Sequence, residues 1–255
     1  MSIRILAIDT ATEACSAALM LNDDVLLERC TFSPREHMLH ILPMVDSLLV
    51  EAGTTLKSLD ALVFGRGPGS FAGIRIGIGI AQGLALGANL PLIGVSTLAA
   101  LAEGAWRQTG ICQVLTAIDA RMGEVYWAPY QRKAGVWLGE ECETVASPEA
   151  ITSLGAMLSG CWATAGTGWQ TYPMLLHHAG LTLVSGNTLL SSARNILPLA
   201  RQSYQQGSIQ PVTLAKPTYL RNTVARKSCS AGIDRLTSCV KNRQIYPCIQ
   251  NSIRQ

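Results

Sequence analysis

Residues 65–87 read G-R-G-P-G-S-F-A-G-I-R-I-G-I-G-I-A-Q-G-L-A-L-G, and the fold turns on how this stretch is taken. Three glycines and a proline within its first five residues permit a tight turn and close backbone approach. Upstream, Ala61–Phe64 is an apolar run of buried-strand length. Downstream, Ser70 is placed to cap a helix. The unit reads strand, glycine loop, helix. Its exposed amides and positive helix end suit an anion, so the loop is a candidate phosphate or carboxylate site. It lacks the lysine of a P-loop and does not match G-x-G-x-x-G, so by itself it reads more readily as a sharp turn.

The helix that follows carries Gly73, Gly77, Gly79, Gly83 and Gly87. Each interior glycine costs roughly 1 kcal/mol against alanine, so five of them need a packing reason. Four-residue spacings at 73/77 and 79/83/87 leave bare patches where another backbone can approach. The alternation Ile74, Ile76, Ile78, Ile80 offers a strand instead, but the length and the helix-forming end at 81–86 favour the helix.

The whole chain of 255 residues is 48% hydrophobic and 15% charged, which excludes disorder throughout and allows a large core. Residues 76–102 are apolar enough to raise a membrane span, but Pro91 and a turn at 87–91 divide them into two helices flanking a short strand. The start shows no secretory pattern, so the cytoplasm is expected. Eight cysteines form no C-x-x-C pair and read as scattered reduced thiols. Residues 226–255 carry +5 in a chain of +3, which leaves a body of −2 with no broad nucleic-acid footprint.

Residues 3–10 read as a strand ending in Asp9 and Thr10, followed by two more strands, 15–21 and 25–32, in a meander. A helix is expected from Pro34, with a stripe at Met38, Ile41, Leu42, Val45, Leu48, Leu49 and Ala52, stopped by Gly53. Leu39, Met44 and Val50 fall off that stripe, so one side should pack on the chain's own sheet and another on a partner. His37 and His40 lie three apart, the wrong spacing for a helical zinc pair. Strand 92–95 leads to a helix reaching about 108, and strand 112–119 ends in Asp119, echoing Asp9 and suggesting two duplicated halves. Further strands are expected at 124–131, 135–145 and 162–166, with helices at 148–158, 169–179 and 191–206. Gly166 and Gly168 flank a second candidate nucleotide contact.

Six stretches carry a resemblance: I-L-A-I-D-T-A-T-E-A-C-S-A-A-L (5–19), P-R-E-H (34–37), G-R-G-P-G-S-F-A-G-I-R-I-G (65–77), D-A-R-M-G-E-V-Y (119–126), G-T-G-W (166–169) and P-T-Y-L-R-N (217–222). Together they resemble the bacterial TsaB (YeaZ) family of tRNA threonylcarbamoyladenosine biosynthesis proteins. The resemblance implies an α/β, two-lobed, actin-like/Hsp70-like ATPase (ASKHA) fold with duplicated ribonuclease-H-like halves. The lobes would span 1–110 and 111–225, with the helix near 191–206 packing back on the first, and a basic tail at 226–255 outside the pattern.

It further implies a scaffold that activates TsaD, the threonylcarbamoyltransferase, with TsaE in a ternary complex, a homodimer when alone, and tRNA met only through the complex. No membrane, metal or tightly bound cofactor is implied, with room left for weak ATP or ADP binding. The interface residues expected on that basis are His37, Met38, Ile41, Val45, Leu48, Phe71, Ile74, Arg75 and Ile78. Vestigial nucleotide contacts fall on Asp9, Thr10, Gly67, Gly69, Ser70, Asp119, Arg121, Gly166 and Gly168. A phosphotransferase built on Asp9, Asp119 and the glycine loops, a peptidase, and a self-associating scaffold with no tRNA role are the alternatives.

Overall fold

The computed structural model describes residues 3–22, 25–156, 158–177 and 180–221, so the tail beyond Arg221 lies outside the described residues. Strands β1 (Arg4–Asp9), β2 (Ala14–Leu21) and β3 (Val25–Phe32) form an antiparallel meander, with Asp9 opposite Ser16 and Ile5 opposite Met20. Helix α1 (His37–Glu51) then crosses to β4 (Ala61–Gly67), which runs parallel to β1, and α2 (Phe71–Ala88) crosses to β5 (Leu92–Ser96). The sheet order is β3-β2-β1-β4-β5. Side chains alternate across a strand, so Leu6 and Ile8 of β1 face the α1/α2 side while Ile5 and Ala7 face the other. Both faces are covered, and β1 is therefore apolar without a break from Ile5 to Ile8.

The second sheet repeats this plan. Strands β6 (Gln113–Asp119), β7 (Val125–Lys133) and β8 (Val136–Leu138) form its meander, and β9 (Thr144–Ala146) pairs with the other end of β7. Helix α4 (Pro148–Gly155) leads to β10 (Gly160–Ala165), which is parallel to β6 and to β11 (Leu181–Thr188). Read from the meander edge, the order β8-β7-β6-β10-β11 matches the β3-β2-β1-β4-β5 of the first sheet, with the antiparallel and parallel neighbours of the central strand in the same places. Two sheets with one strand order make the duplicated, two-lobed, actin-like architecture.

Two expectations are corrected. The single strand at 135–145 is two short ones separated by the 3₁₀ turn Glu140–Cys142. The helix at 169–179 is the one-turn α5 (Gly168–Thr171) followed by a 3₁₀ turn at Pro173–Leu176, and β11 was not foreseen at all. Among the described cysteines, Cys15, Cys30, Cys112 and Cys161 are free thiols.

Two helices exchange between the halves. Helix α3 (Thr97–Thr109) sends Leu98, Leu101, Ala102 and Ala105 against Val114, Ala128 and Ala163 of the second sheet. Helix α6 (Ala193–Gln205) sends Ala193, Ile196, Leu197 and Ala200 against Ile5, Ala7 and Val63 of the first. A cut near residue 110 therefore divides the strands but not the packing. The core runs through the junction.

Helix α1 starts at His37 rather than at Pro34, because Arg35 takes a left-handed φ of 71° that a helix cannot include. Helix α2 has the length and composition to cross a membrane, yet Ile74, Ile78, Ala81 and Ala85 are buried against the first sheet. Its glycines divide by face. A Cβ at Gly73 would strike the Thr10 carbonyl, and one at Gly77 would lie 2.6 Å from Thr10 Oγ1, whereas Gly79, Gly83 and Gly87 look onto open space.

Candidate functional site

The carboxyl ends of β1 and β4 bring the first candidate cluster together. Asp9 is 1% exposed, and its carboxylate accepts from the Ala11 amide at 2.9 Å and from the Ser191 hydroxyl just before α6. Thr10 Oγ1 donates to the Gly73 carbonyl at 2.7 Å, and the Ser70 amide donates to the Ala11 carbonyl at 2.8 Å. Gly65 and Gly69 have no room for a Cβ, since Asp9 fills one site and the Ala11 carbonyl the other. Gly67, at φ 94°, begins the turn into Ser70, whose hydroxyl accepts from the Gly73 amide at 3.3 Å. The glycine loop is thus zipped onto the β1–β2 turn. The Thr10 and Ser70 hydroxyls are both taken up by backbone groups of α2.

The second cluster behaves likewise. Asp119 accepts from the Arg121 amide at 2.8 Å, from the Arg121 guanidinium at 3.2 Å and from the Tyr172 hydroxyl at 3.1 Å. Gly166 and Gly168 lie flat against Ala117 of β6, with the Gly166 amide bonded to the Thr188 carbonyl at 2.8 Å. Arg121 also reaches Glu13 of the first lobe at 3.1 Å, bringing the two aspartate turns face to face. The structure therefore assembles the residues expected to form a nucleotide site, and partners each of their side chains internally. Sequence reasoning misses Ser191 as a partner of Asp9, because it lies 182 residues away in the chain and only the fold brings the two together.

Burial raises the Asp9 carboxyl above its ordinary 3.8, outweighing the bonds from Ser191 and Ala11 and the charge of His37, which pull the other way. The folded state then holds a proton more tightly than the unfolded chain does. Ionised Asp9 therefore costs stability as pH rises above the ordinary carboxylate range, and the cost fades as pH falls toward it. Asp9→Asn keeps an acceptor for Ala11 and gains a donor toward Ser191. The variant should be more stable than the parent at about pH 8, with the gap closing toward about pH 4, as urea unfolding at both values will measure.

The second candidate feature is the outer face of α1 and α2. Ile41, Val45, Leu48, Ile74 and Ile78, expected at an interface, are instead core residues packed with Leu6, Ile8 and Leu19. His37 also points inward, its Nε2 lying 2.8 Å from the Thr12 carbonyl. The reason is the stripe itself: positions 41, 45 and 48 form the face that covers β2, so the apolar surplus must lie elsewhere. It does. Met38, Leu39 and Leu42 are 69%, 70% and 47% exposed on α1, and Phe71 is 64% exposed at the start of α2. Arg75 is exposed beside Phe71, its guanidinium 3.3 Å over the ring. Of the expected interface residues, Met38, Phe71 and Arg75 stay on the surface. His40 pairs at 3.5 Å with Glu36, and among the described residues no group of three or more His, Cys, Asp or Glu could hold a metal.

A family model described as TsaD, tRNA N6-adenosine threonylcarbamoyltransferase, matches residues 31–226. The TsaB protein of Escherichia coli (strain K12) is 57% identical over 225 residues, covering 88% of this chain and 97% of its own length. The TsaB protein of Haemophilus influenzae is 38% identical, covering 89% and 97%. The solved YeaZ from Pseudomonas aeruginosa superposes with a TM-score of 0.77 at 40% identity, covering 86% of this chain and all of that one. A second solved Pseudomonas aeruginosa protein, described as having similarity to peptidase YeaZ, superposes with a TM-score of 0.79 at 42% identity, covering 86% and 100%. With its duplicated lobes, its aspartate turns and a match along nearly the full length of these relatives, the chain belongs to the TsaB (YeaZ) family of tRNA threonylcarbamoyladenosine biosynthesis proteins.

Proposed function

We propose that the chain serves in forming N6-threonylcarbamoyladenosine in tRNA as a non-catalytic partner that binds and activates a TsaD-type threonylcarbamoyltransferase, with TsaE joining in a ternary complex. One observation carries this reading. The Asp9 and Thr10 side chains that would face a phosphate are held by Ala11, Ser191 and Gly73 of the chain itself, while Met38, Leu39, Leu42 and Phe71 stand open on adjoining helices. Chemistry at the loops would require breaking that network. Docking on the helices requires nothing to move, and burying such a face supplies the main driving force for association.

Alone, the chain would bury the same face against a second copy. It would meet tRNA only through the complex, in the cytoplasm, and would need no cofactor of its own, whatever weak ATP or ADP binding persists. Size-exclusion chromatography with purified TsaD tests the pairing: a new one-to-one species should replace both starting peaks. Separate elution at micromolar concentration would contradict it.

A further inference from the structure

After α6 the chain does not trail away. Gln210 bridges Leu92 at the edge of the first sheet, through bonds of 3.0 and 2.9 Å. The chain then runs back along α2, where Gln82 donates to the Val212 and Ala215 carbonyls at 3.2 and 3.4 Å. The Thr218 amide donates to the Arg66 carbonyl at 2.8 Å, and the Arg66 guanidinium donates to the Thr218 hydroxyl. Tyr219 lays its ring 6.3 Å from that of Phe71. Two residues later the chain has crossed to the other lobe: Arg221 Nε donates to Glu124 at 2.8 Å, and its Nη2 to the same carboxylate and to the carbonyls of Ala120 and Arg121 at 3.0 and 3.3 Å.

The β6–β7 turn that Arg221 grips needs such a grip. Arg121, Met122 and Gly123 take left-handed φ values of 61°, 58° and 76° in succession, and two of the three are large non-glycine residues. A backbone in that region persists only where its surroundings over-determine it. The bonds within the turn, Ala120 to Glu124 at 2.9 Å and Glu124 to Arg121 at 3.2 Å, are local. Arg221, brought from about a hundred residues away, adds a planar fork of charge-assisted bonds that a lysine could not reproduce. The turn so held presents Arg121 to Glu13 across the lobes.

We propose that Pro217–Arg221 is a latch that locks the β6–β7 turn of the second lobe to the end of β4 and the start of α2 in the first, with Arg221 as its positioning residue. The latch fixes the disposition of the lobes from within the chain, and through Tyr219 it joins the edge of the apolar helix face to the same rigid body. It stands independently of the partner reading, because every contact in it is intramolecular.

Hydrogen exchange on the full chain tests it, comparing the parent with Arg221→Ala and Arg221→Lys. In Arg221→Ala the amides of Thr218, Ala120 and Glu124 should exchange at least about tenfold faster, while those of β1, β4 and α3 keep parental rates. Arg221→Lys, which keeps the charge facing Glu124 and loses the fork, should fall between the two. Thr218→Val, removing only the hydroxyl that Arg66 grips, should loosen the strap on the first-lobe side alone. Unchanged rates at Ala120 and Glu124 in Arg221→Ala would overturn the latch. So would acceleration spread evenly over all peptides, since that is the signature of a residue that merely stabilises the whole fold.

Discussion

Replacing Leu39 and Leu42 together with glutamate is expected to weaken binding to TsaD by at least about a hundredfold while leaving the chain folded. Leu39 stands largely in solvent and Leu42 about half so on the outer face of α1, and neither belongs to the buried core, so the charges leave the free protein folded. On docking, each introduced carboxylate must be stripped of water without a partner, and the loss at a hot-spot position is about 2 kcal/mol or more. Two such losses exceed the roughly 2.7 kcal/mol that corresponds to a hundredfold change. Ile41, between them in sequence, is fully buried on the opposite face, and Ile41→Glu should unfold the chain instead. Calorimetric titration with TsaD, together with circular dichroism of the free variants, reads both. Parental affinity in the double variant would remove α1 from the interface.

The second large effect lies on α2. Gly73→Val is expected to cost about 3 kcal/mol, because its first added atom would strike the Thr10 carbonyl and backbone must shift to admit it. That is a large part of the 5–15 kcal/mol that holds a typical domain together. Gly79→Ala, in the same helix, should stabilise by about 0.5–1 kcal/mol, since its Cβ meets nothing within 4 Å and alanine is the better helix former. Equal effects at the two positions in urea unfolding would contradict the close approach of α2 to the β1–β2 turn.

That contrast shows where the sequence was legible and where it was not. The glycine spacing announced that α2 needed close packing, but 73/77 and 79/83/87 look alike in sequence and only the fold separates the two faces. The same holds for α1. The surplus of apolar residues at Leu39 and Val50 beyond the 41/45/48 stripe pointed to a second contact, yet periodicity does not say which stripe faces the sheet. The strand from Val25 to Phe32 was readable to the residue because its ends are set by a turn and a meander partner.

Strand β11 was not, because it is a mostly half-exposed edge strand whose Gly186 and left-handed Asn187 break the pattern. The two aspartate turns were recognisable from their echo. What neutralises them was not: Ser191 and Tyr172 reach Asp9 and Asp119 through tertiary contacts with no local signature. Arg221 belongs in the same class, since a motif names the residue but not the strained turn it holds.

The most direct test of the account is reconstitution of the modification. Purified TsaD and TsaE, with TsaC as the family's source of the threonylcarbamoyl-adenylate donor, are supplied with unmodified tRNA, ATP, bicarbonate and labelled threonine, with and without this chain. The account predicts label in tRNA only when the chain is present, ATP turnover by the chain alone at background, and loss of stimulation with the Leu39→Glu, Leu42→Glu double variant. Labelling that is indifferent to the chain would contradict its role as activator.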